Sequence, residues 1–377
     1  MILVLEGEGD PRLRDVGSPA APEAQAPNPA PGQAEVVLPC AELAPTLDFF
    51  VDVLGFRVET IFPADEPRVA SLSGHGLRLR LEPGDGPAPA IRLPGAGAPR
   101  IAPNGARIVF VDPDPPLDLP PLKPEFVLTR AADGPGPGEG RAGMLYRDPI
   151  PGRLGGRFIA SHITIPGGGP VADWVHFHKV RFQMIFCCTG WVRVVYEDQG
   201  DPFILQAGDC VLQPPRIRHR VLESSPGLEV VEIGCPALHE TLADHDLTLP
   251  TARLDPRRDF AGQRFLRHVA AQTPWIAHAA TGFERRDTGM AAATQGLAEV
   301  RVIRSAGARS FAADGYEGEL LFGFVLHGAA VLDHDTLHRL NAGDAFVIPP
   351  RRSWGLADAS PDFQLLEVIL PAGASDA

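Results

Sequence analysis

The pair His176 and His178, separated by Phe177, is where this 377-residue chain could first do chemistry. On a strand, residues i and i+2 face the same side, so two imidazoles converge on one point without a loop. Gln183 lies five residues further on, and its strand runs toward a turn at Gly190. His219 follows the turn-rich stretch GDCVLQPP (Gly208–Pro215), from which a neighbouring strand can deliver a third imidazole. Three neutral imidazoles plus one oxygen donor suit a divalent first-row ion such as Fe, Mn, Ni, Cu or Zn. Three histidines also leave positions open for water or substrate. Gln183 has two readings: its amide oxygen can ligate, or it can hydrogen-bond a ligand or a bound water.

Other residue types near this constellation have defined expectations. Arg181 stands two residues before Gln183. On a regular strand it shares Gln183's face and could clamp a substrate carboxylate bidentately; a rim arginine is the plainer reading. Trp174 is two residues before His176, in phase, and could form an aromatic wall of the substrate pocket. Cys187 is in phase with Gln183 and could enter the same interior, as packing rather than as a nucleophile, because no partner base is visible. Asp173 and Glu223 are candidate proton carriers near the mouth, while Lys179 and Arg218 should point away.

The elements that must position these residues belong to a duplication. At a constant offset, Leu205–Ala237 aligns without gaps with Leu340–Ala372. Identities include Gly208/Gly343, Asp209/Asp344, Pro214/Pro349, Arg216/Arg351 and Glu232/Glu367. Each copy reads as short apolar strands with turn residues at regular intervals, which suggests a β-sandwich or barrel. Strands are expected at Phe158–Ile165, Gln183–Cys188, Val192–Glu197, Cys210–Gln213 and Leu228–Ile233 in the first copy. In the second they are expected at Glu299–Arg304, Leu320–Leu326, Ala345–Ile348 and Gln364–Ile369. At the ligand positions the second copy has Asp314, Tyr316, Leu321 and Trp354. Leucine cannot ligate and tryptophan offers only an N–H donor, so that copy should hold no metal. His327, His334 and His338 read as solvent-exposed loop histidines.

The spacing His176-x-His178-x4-Gln183-x6-Gly190 resembles the first motif of the cupin superfamily, with Gln183 in the usual Glu position. Gly208-x5-Pro214-x-Arg216-x2-His219 resembles the second motif, with Arg216 where Gly is usual. The resemblance implies a bicupin, two double-stranded β-barrels, with the metal in the mouth of the first only. It implies His176, His178, His219 and Gln183 as ligands; with Arg181 from its strand position, Gln183 and Arg181 are the candidate catalytic side chains. A glutamine leaves the site one negative charge short of the Glu version, which makes the metal more electrophilic. Several metal-active bicupins are dioxygenases, so the leading expectation is a non-haem Fe(II) dioxygenase acting on a small, aromatic or acidic chelating substrate. Non-oxidative isomerase or lyase chemistry with Zn, Mn or Ni, and a non-catalytic small-molecule binder, stay open.

Upstream of the barrels, Glu35–Pro39 reads as a strand. Leu47, Phe50, Val51 and Leu54 then mark one face of a helix that Gly55 stops. Strands follow at Phe56–Ile61, Arg68–Leu72 and Leu77–Leu81, the last alternating leucine with charge. This βαβββ order, with LAPTLDFFVDVLGFRVE (Leu43–Glu59), resembles half of a vicinal-oxygen-chelate (glyoxalase/bleomycin-resistance) module, implying a structural or dimer-forming role. The expected organisation is a flexible arm (1–34), the half-module (35–130), a Gly/Pro-rich linker (131–150), the metal cupin (151–245) and a degenerate cupin (246–377). The whole is a mainly β chain preceded by one small α+β module.

Bulk properties narrow the partners. The 40 glycines and 40 prolines, with 44 % hydrophobic residues, fit short strands joined by many turns. A net charge of −13 without a basic run argues against nucleic acid. No apolar run is long enough for a membrane helix. The N-terminal Met-Ile-Leu-Val-Leu meets Glu6, Glu8 and Asp10 without a basic region, unlike a signal peptide. The expectation is therefore a cytoplasmic protein with five reduced cysteines, a small-molecule substrate and a homodimer.

Overall fold

A computed structural model describes Pro29 and residues 33–371, apart from 65, 88, 134–137, 141 and 142. The expected N-terminal arm lies almost wholly outside the described residues. The chain divides into two compact units, residues 1–116 and 117–377.

The first unit has the expected βαβββ order. Strand Val36–Pro39 is followed by helix Leu43–Asp48, which continues as a π-turn over Phe49–Val53. Strands Arg57–Phe62, Val69–Gly74 and Leu77–Glu82 complete a four-stranded sheet, in which the last strand lies parallel to the first. Phe50 is fully buried with Leu38, Phe56, Leu72, Leu79 and Leu81. That packing explains the helical spacing of apolar residues and the alternation in LRLRLE. Three short strands, Ala90–Pro94, Arg100–Ile101 and Arg107–Val111, form a second small sheet of this unit.

The second unit carries the duplication. In the first copy, a sheet built on Ile159–Ile165, Phe182–Thr189, Cys210–Leu212 and Leu228–Cys235 faces a sheet built on His176–His178, Trp191–Tyr196, Phe203–Gln206 and His219–Ser224. In the second copy the matching sheets are built on Glu299–Ser305, Gly318–His327, Ala345–Val347 and Gln364–Pro371, and on Phe311–Ala313, Ala329–His334, Thr336–Asn341 and Trp354–Ala357. The two large sheets share one core. Phe182, Met184 and Phe186 from the first copy cluster with Leu320, Phe322 and Phe324 from the second. The alternate residues of the strand Phe182–Thr189, Gln183 and Cys187, are buried as well. It is therefore buried on both faces, as its nearly unbroken apolar run requires.

The copies also exchange edge strands. Val127–Thr129 pairs with Ala345–Val347 of the second copy, and Leu266–His268 pairs with Cys210–Leu212 of the first. The repeat identity Asp209/Asp344 marks this exchange. Asp209 accepts the backbone N–H of Ala270 at 2.8 Å, and Asp344 accepts that of Ala131 at 2.8 Å. Each carboxylate also closes its own turn, accepting from Gln206 N–H or Asn341 N–H. Residues 117–130, which the composition grouped with the first module, thus go with the barrels. The expected linker also carries structure. Leu145–Arg147 pairs with Ile159–Ile165, and Gly138–Glu139 pairs with Leu145–Arg147. Composition hid these strands because each is only two or three residues long between Gly and Pro.

Gly190 closes the hairpin between Phe182–Thr189 and Trp191–Tyr196 at φ +76°, and a Cβ there would stand 2.3 Å from Ser225 Oγ. The second-motif position held by Arg216 also sits at positive φ, 64°, matched by Arg351 at 63°. The turn thus keeps a left-handed residue even though the side chain is not glycine.

Candidate metal centre

His176, His178 and His219 meet inside the first barrel. His176 and His219 are direct partners across adjacent antiparallel strands. His178 shares His176's face, as the i, i+2 spacing predicts. All three are buried, and one ring nitrogen of each lies within 4.8 Å of the others. The orientation of the rings follows from their Nδ1 atoms. His176 Nδ1 donates to the Trp174 carbonyl at 2.8 Å, His178 Nδ1 to the Glu240 carbonyl at 3.1 Å, and His219 Nδ1 to the Ile217 carbonyl at 3.0 Å. A carbonyl only accepts, so each ring carries its proton on Nδ1, and Nε2 is the nitrogen that could ligate a metal. Asp173, with its side chain fully buried, lies 3.6 Å from His176 Nδ1 and accepts the Val221 N–H at 2.9 Å. Tyr196 stacks on His219 with ring centroids 5.6 Å apart. Its hydroxyl accepts from Gln213 Nε2 at 2.9 Å, and burial pushes the phenol's pKa above its ordinary value.

Gln183 reaches the same cavity, and the structure adds a residue that spacing did not reveal. Gln183 Nε2 donates to Glu232 Oε1 at 2.7 Å. A carboxylate only accepts, so the NH2 end of Gln183 must face Glu232, and its Oε1 is left for other partners. Glu232 also restores near the site the negative charge that a glutamine at position 183 removes. The available signal was its identity with Glu367 in the repeat. In the second copy, however, Glu367 bonds Arg301 instead.

The remaining sequence candidates lie elsewhere. Arg181 does not face the site: its Nη1 binds both carboxylate oxygens of Glu319, at 2.8 and 2.9 Å, and Arg157 binds the same carboxylate. This triad joins the two barrels. The strand begins at Phe182, so the alternation that would put Arg181 beside Gln183 does not extend to it. Trp174 likewise precedes its strand and is 38 % exposed; it serves the site through its backbone carbonyl. Cys187 packs in the barrel's apolar cluster, where burial pushes its pKa to about 12, so it is no nucleophile. Glu223 pairs with Arg193 near the surface. In the second barrel, Trp354, Phe346, Leu321 and Phe363 fill the interior. His334 is buried there and bonds the Ser353 carbonyl, contrary to its reading as an exposed loop residue. Among the described residues, the group of His, Cys or carboxylate side chains placed to hold a metal is the first barrel's triad.

The site opens into a cavity of about 80 Å³. Strand register sorts its lining into levels. At the metal level stand His176, His178, His219 and Tyr196 on one sheet, and Gln183 with its bonded partner Glu232 on the other. Further along the first sheet come Val194 opposite Val221 and then Val192; along the other, Ile163 lies opposite Val230 and Tyr146, and Ile165 opposite Leu228. Met144 and Tyr146, from the stretch read as linker, also line it. A larger groove shares Tyr146, His178 and Glu232 with the cavity, so the metal level is the mouth.

Two facing sheets per copy, a duplicated architecture and three histidines from the two motif positions decide the fold. It is a bicupin. No protein-family model matches the sequence, and no curated protein matches it. Solved structures similar to this chain include a salicylate 1,2-dioxygenase from Pseudaminobacter salicylatoxidans, at 15 % identity and TM-score 0.49, over 67 % of this chain and 86 % of that one. An oxalate decarboxylase variant of B. subtilis aligns at 12 % identity and TM-score 0.49, over 65 % and 77 %. Protein Ylba from E. coli aligns at 12 % identity and TM-score 0.48, over 68 % and 94 %. What those proteins act on is a property of those proteins. No helix among the described residues is long and apolar enough to cross a membrane.

Proposed function

We propose that this chain is a metal-dependent bicupin enzyme, a non-haem Fe(II) dioxygenase acting on a small chelating molecule. The observation that carries the reading is the convergence of three buried histidines, one ring nitrogen of each within 4.8 Å of the others, with every Nδ1 held by a backbone carbonyl. Neutral imidazoles with an amide oxygen suit a divalent first-row ion, and Fe, Mn, Ni, Cu or Zn all accept them. When bound, such an ion supplies Lewis acidity and, as iron, one-electron chemistry with dioxygen. The chain's own contribution is positional. Backbone carbonyls and Asp173 fix the imidazoles, Glu232 fixes the amide of Gln183, and the apolar walls exclude water from the cavity. The balance needs no further reductant: the substrate gives up four electrons, and both atoms of O2 enter the product.

The test is oxygen consumption by anaerobically Fe(II)-loaded protein with a panel of chelating substrates. Stoichiometric uptake with incorporation of both labelled oxygen atoms supports the reading; no uptake with any of them refutes it. A second reading is favoured by Glu232, a carboxylate at the metal level that could accept a substrate proton. Isomerase or lyase action with Zn or Mn would then proceed without oxygen, and turnover under anaerobic conditions separates the two.

The first unit is proposed to serve as a glyoxalase-like dimerisation module. Its sheet leaves Val36, Val37, Val58 and Ile61 from 41 % to 54 % exposed, which supports a homodimer. Analytical ultracentrifugation tests this: a monomer at micromolar concentration refutes it.

A further inference from the structure

The levels of the cavity specify the kind of molecule it takes. Apart from Tyr146, whose hydroxyl bonds Met144 Sδ at 3.7 Å, every polar side chain lining it sits at the metal level or beside Tyr196, and the residues beyond are aliphatic but for Met144. No arginine or lysine lines the cavity among the described residues, because Arg181 is held by Glu319. A carboxylate carried past the metal would meet mainly aliphatic walls with no cation to replace its hydration, and Glu232 at the mouth repels it further. Ile165, Leu228 and Val192 line the cavity away from the histidines, and its small volume leaves no room for a long substrate. A volume of about 80 Å³ holds roughly five to eight water-sized groups.

Resting on the metal-enzyme reading above, we propose that the substrate is a small uncharged molecule whose chelating oxygens stay at the mouth and whose aliphatic body fills the deep pouch. Dicarboxylates and aromatic acids with a carboxylate beyond the chelating end are excluded. This replaces the acidic substrate that Arg181 would have served.

The experiment uses full-length Co(II)-loaded protein and a series of straight-chain alkyl hydroxamic acids, from acetohydroxamic upward. They are uncharged near neutral pH and chelate at one end. Binding is followed by the visible cobalt spectrum, without turnover. Affinity is expected to rise about fourfold per methylene, the factor that about 0.8 kcal/mol per buried methylene gives, until the pouch is full. A chain-matched hydroxamic acid ending in a carboxylate is expected to bind at least tenfold more weakly. Leu228→Ala should move the best chain length upward, and Ile165→Val provides a milder variant if the first does not fold. Affinity independent of chain length, or equal affinity for the carboxylate analogue, overturns the proposal. Xenon NMR on metal-free protein reads the pouch alone. A saturable bound signal is expected, and its absence overturns the proposal even where a metal loads. Failure of oxygen chemistry would leave both binding results standing, so the two readings fail separately.

Discussion

Glu232→Gln is the most informative single perturbation of the site. The substitution keeps the shape and removes the charge. Gln183 is 2 % exposed and donates to the half-buried Glu232 at 2.7 Å, a charge-assisted bond. Hydrogen bonds to charged groups contribute about 1.5–3 kcal/mol and neutral ones about 1 kcal/mol. The variant should therefore lose about 0.5–2 kcal/mol of orienting energy, and its new amide can face Gln183 with either end. Expressed in metal binding, that is roughly a 2- to 30-fold weakening, which overlaps the 10- to 100-fold seen when groups behind metal ligands are changed. The assay is competition for Co(II) or Zn(II) against a chromophoric chelator, with melting temperature as a check on the fold. An affinity within twofold of wild type, with the fold intact, would refute the claim that Glu232 orients Gln183 for the metal.

Further outcomes follow from the same geometry. Glu319 is partly buried, which alone would raise its pKa, yet Arg157 and Arg181 hold it below the ordinary glutamate value. Its contribution to stability is then present above the ordinary glutamate range and is lost as pH falls toward the depressed value. Glu319→Gln should be less stable than wild type at pH 7, and that difference should shrink on acidification in urea melts. Trp354→Ala empties part of the second barrel's filled core, where Trp354 is 5 % exposed. It should cost roughly 3–5 kcal/mol in denaturant titrations while leaving the metal content of the first barrel unchanged. Gly190→Ala meets both a positive φ and Ser225 Oγ at 2.3 Å. It should lower stability by about 1 kcal/mol or more, read as a fall in the urea midpoint.

The histidines were legible because period-2 spacing is a local property, and His176 and His178 lie within one strand. The same rule misplaced Arg181 and Trp174, since each sits just outside a strand, where alternation no longer applies. The duplication was legible from turn residues. Its reciprocal edge strands, Val127–Thr129 and Leu266–His268, were not, because each is three residues long and pairs with the far copy. Glu232 appeared as an identity, yet its role depends on a cross-strand neighbour. Glu232 faces Gln183, whereas Glu367, at the same repeat position, faces Arg301. Met144 and Tyr146 were hidden by the glycines and prolines around them.

The central claim is that His176, His178 and His219 together hold one divalent metal ion. Elemental analysis of the purified wild-type chain beside His176→Ala and His219→Ala tests it most directly. One equivalent of a first-row metal in the wild type, lost in both folded variants, is the expected result. A wild type that neither retains nor takes up such a metal, or variants that keep it in full, would contradict the account.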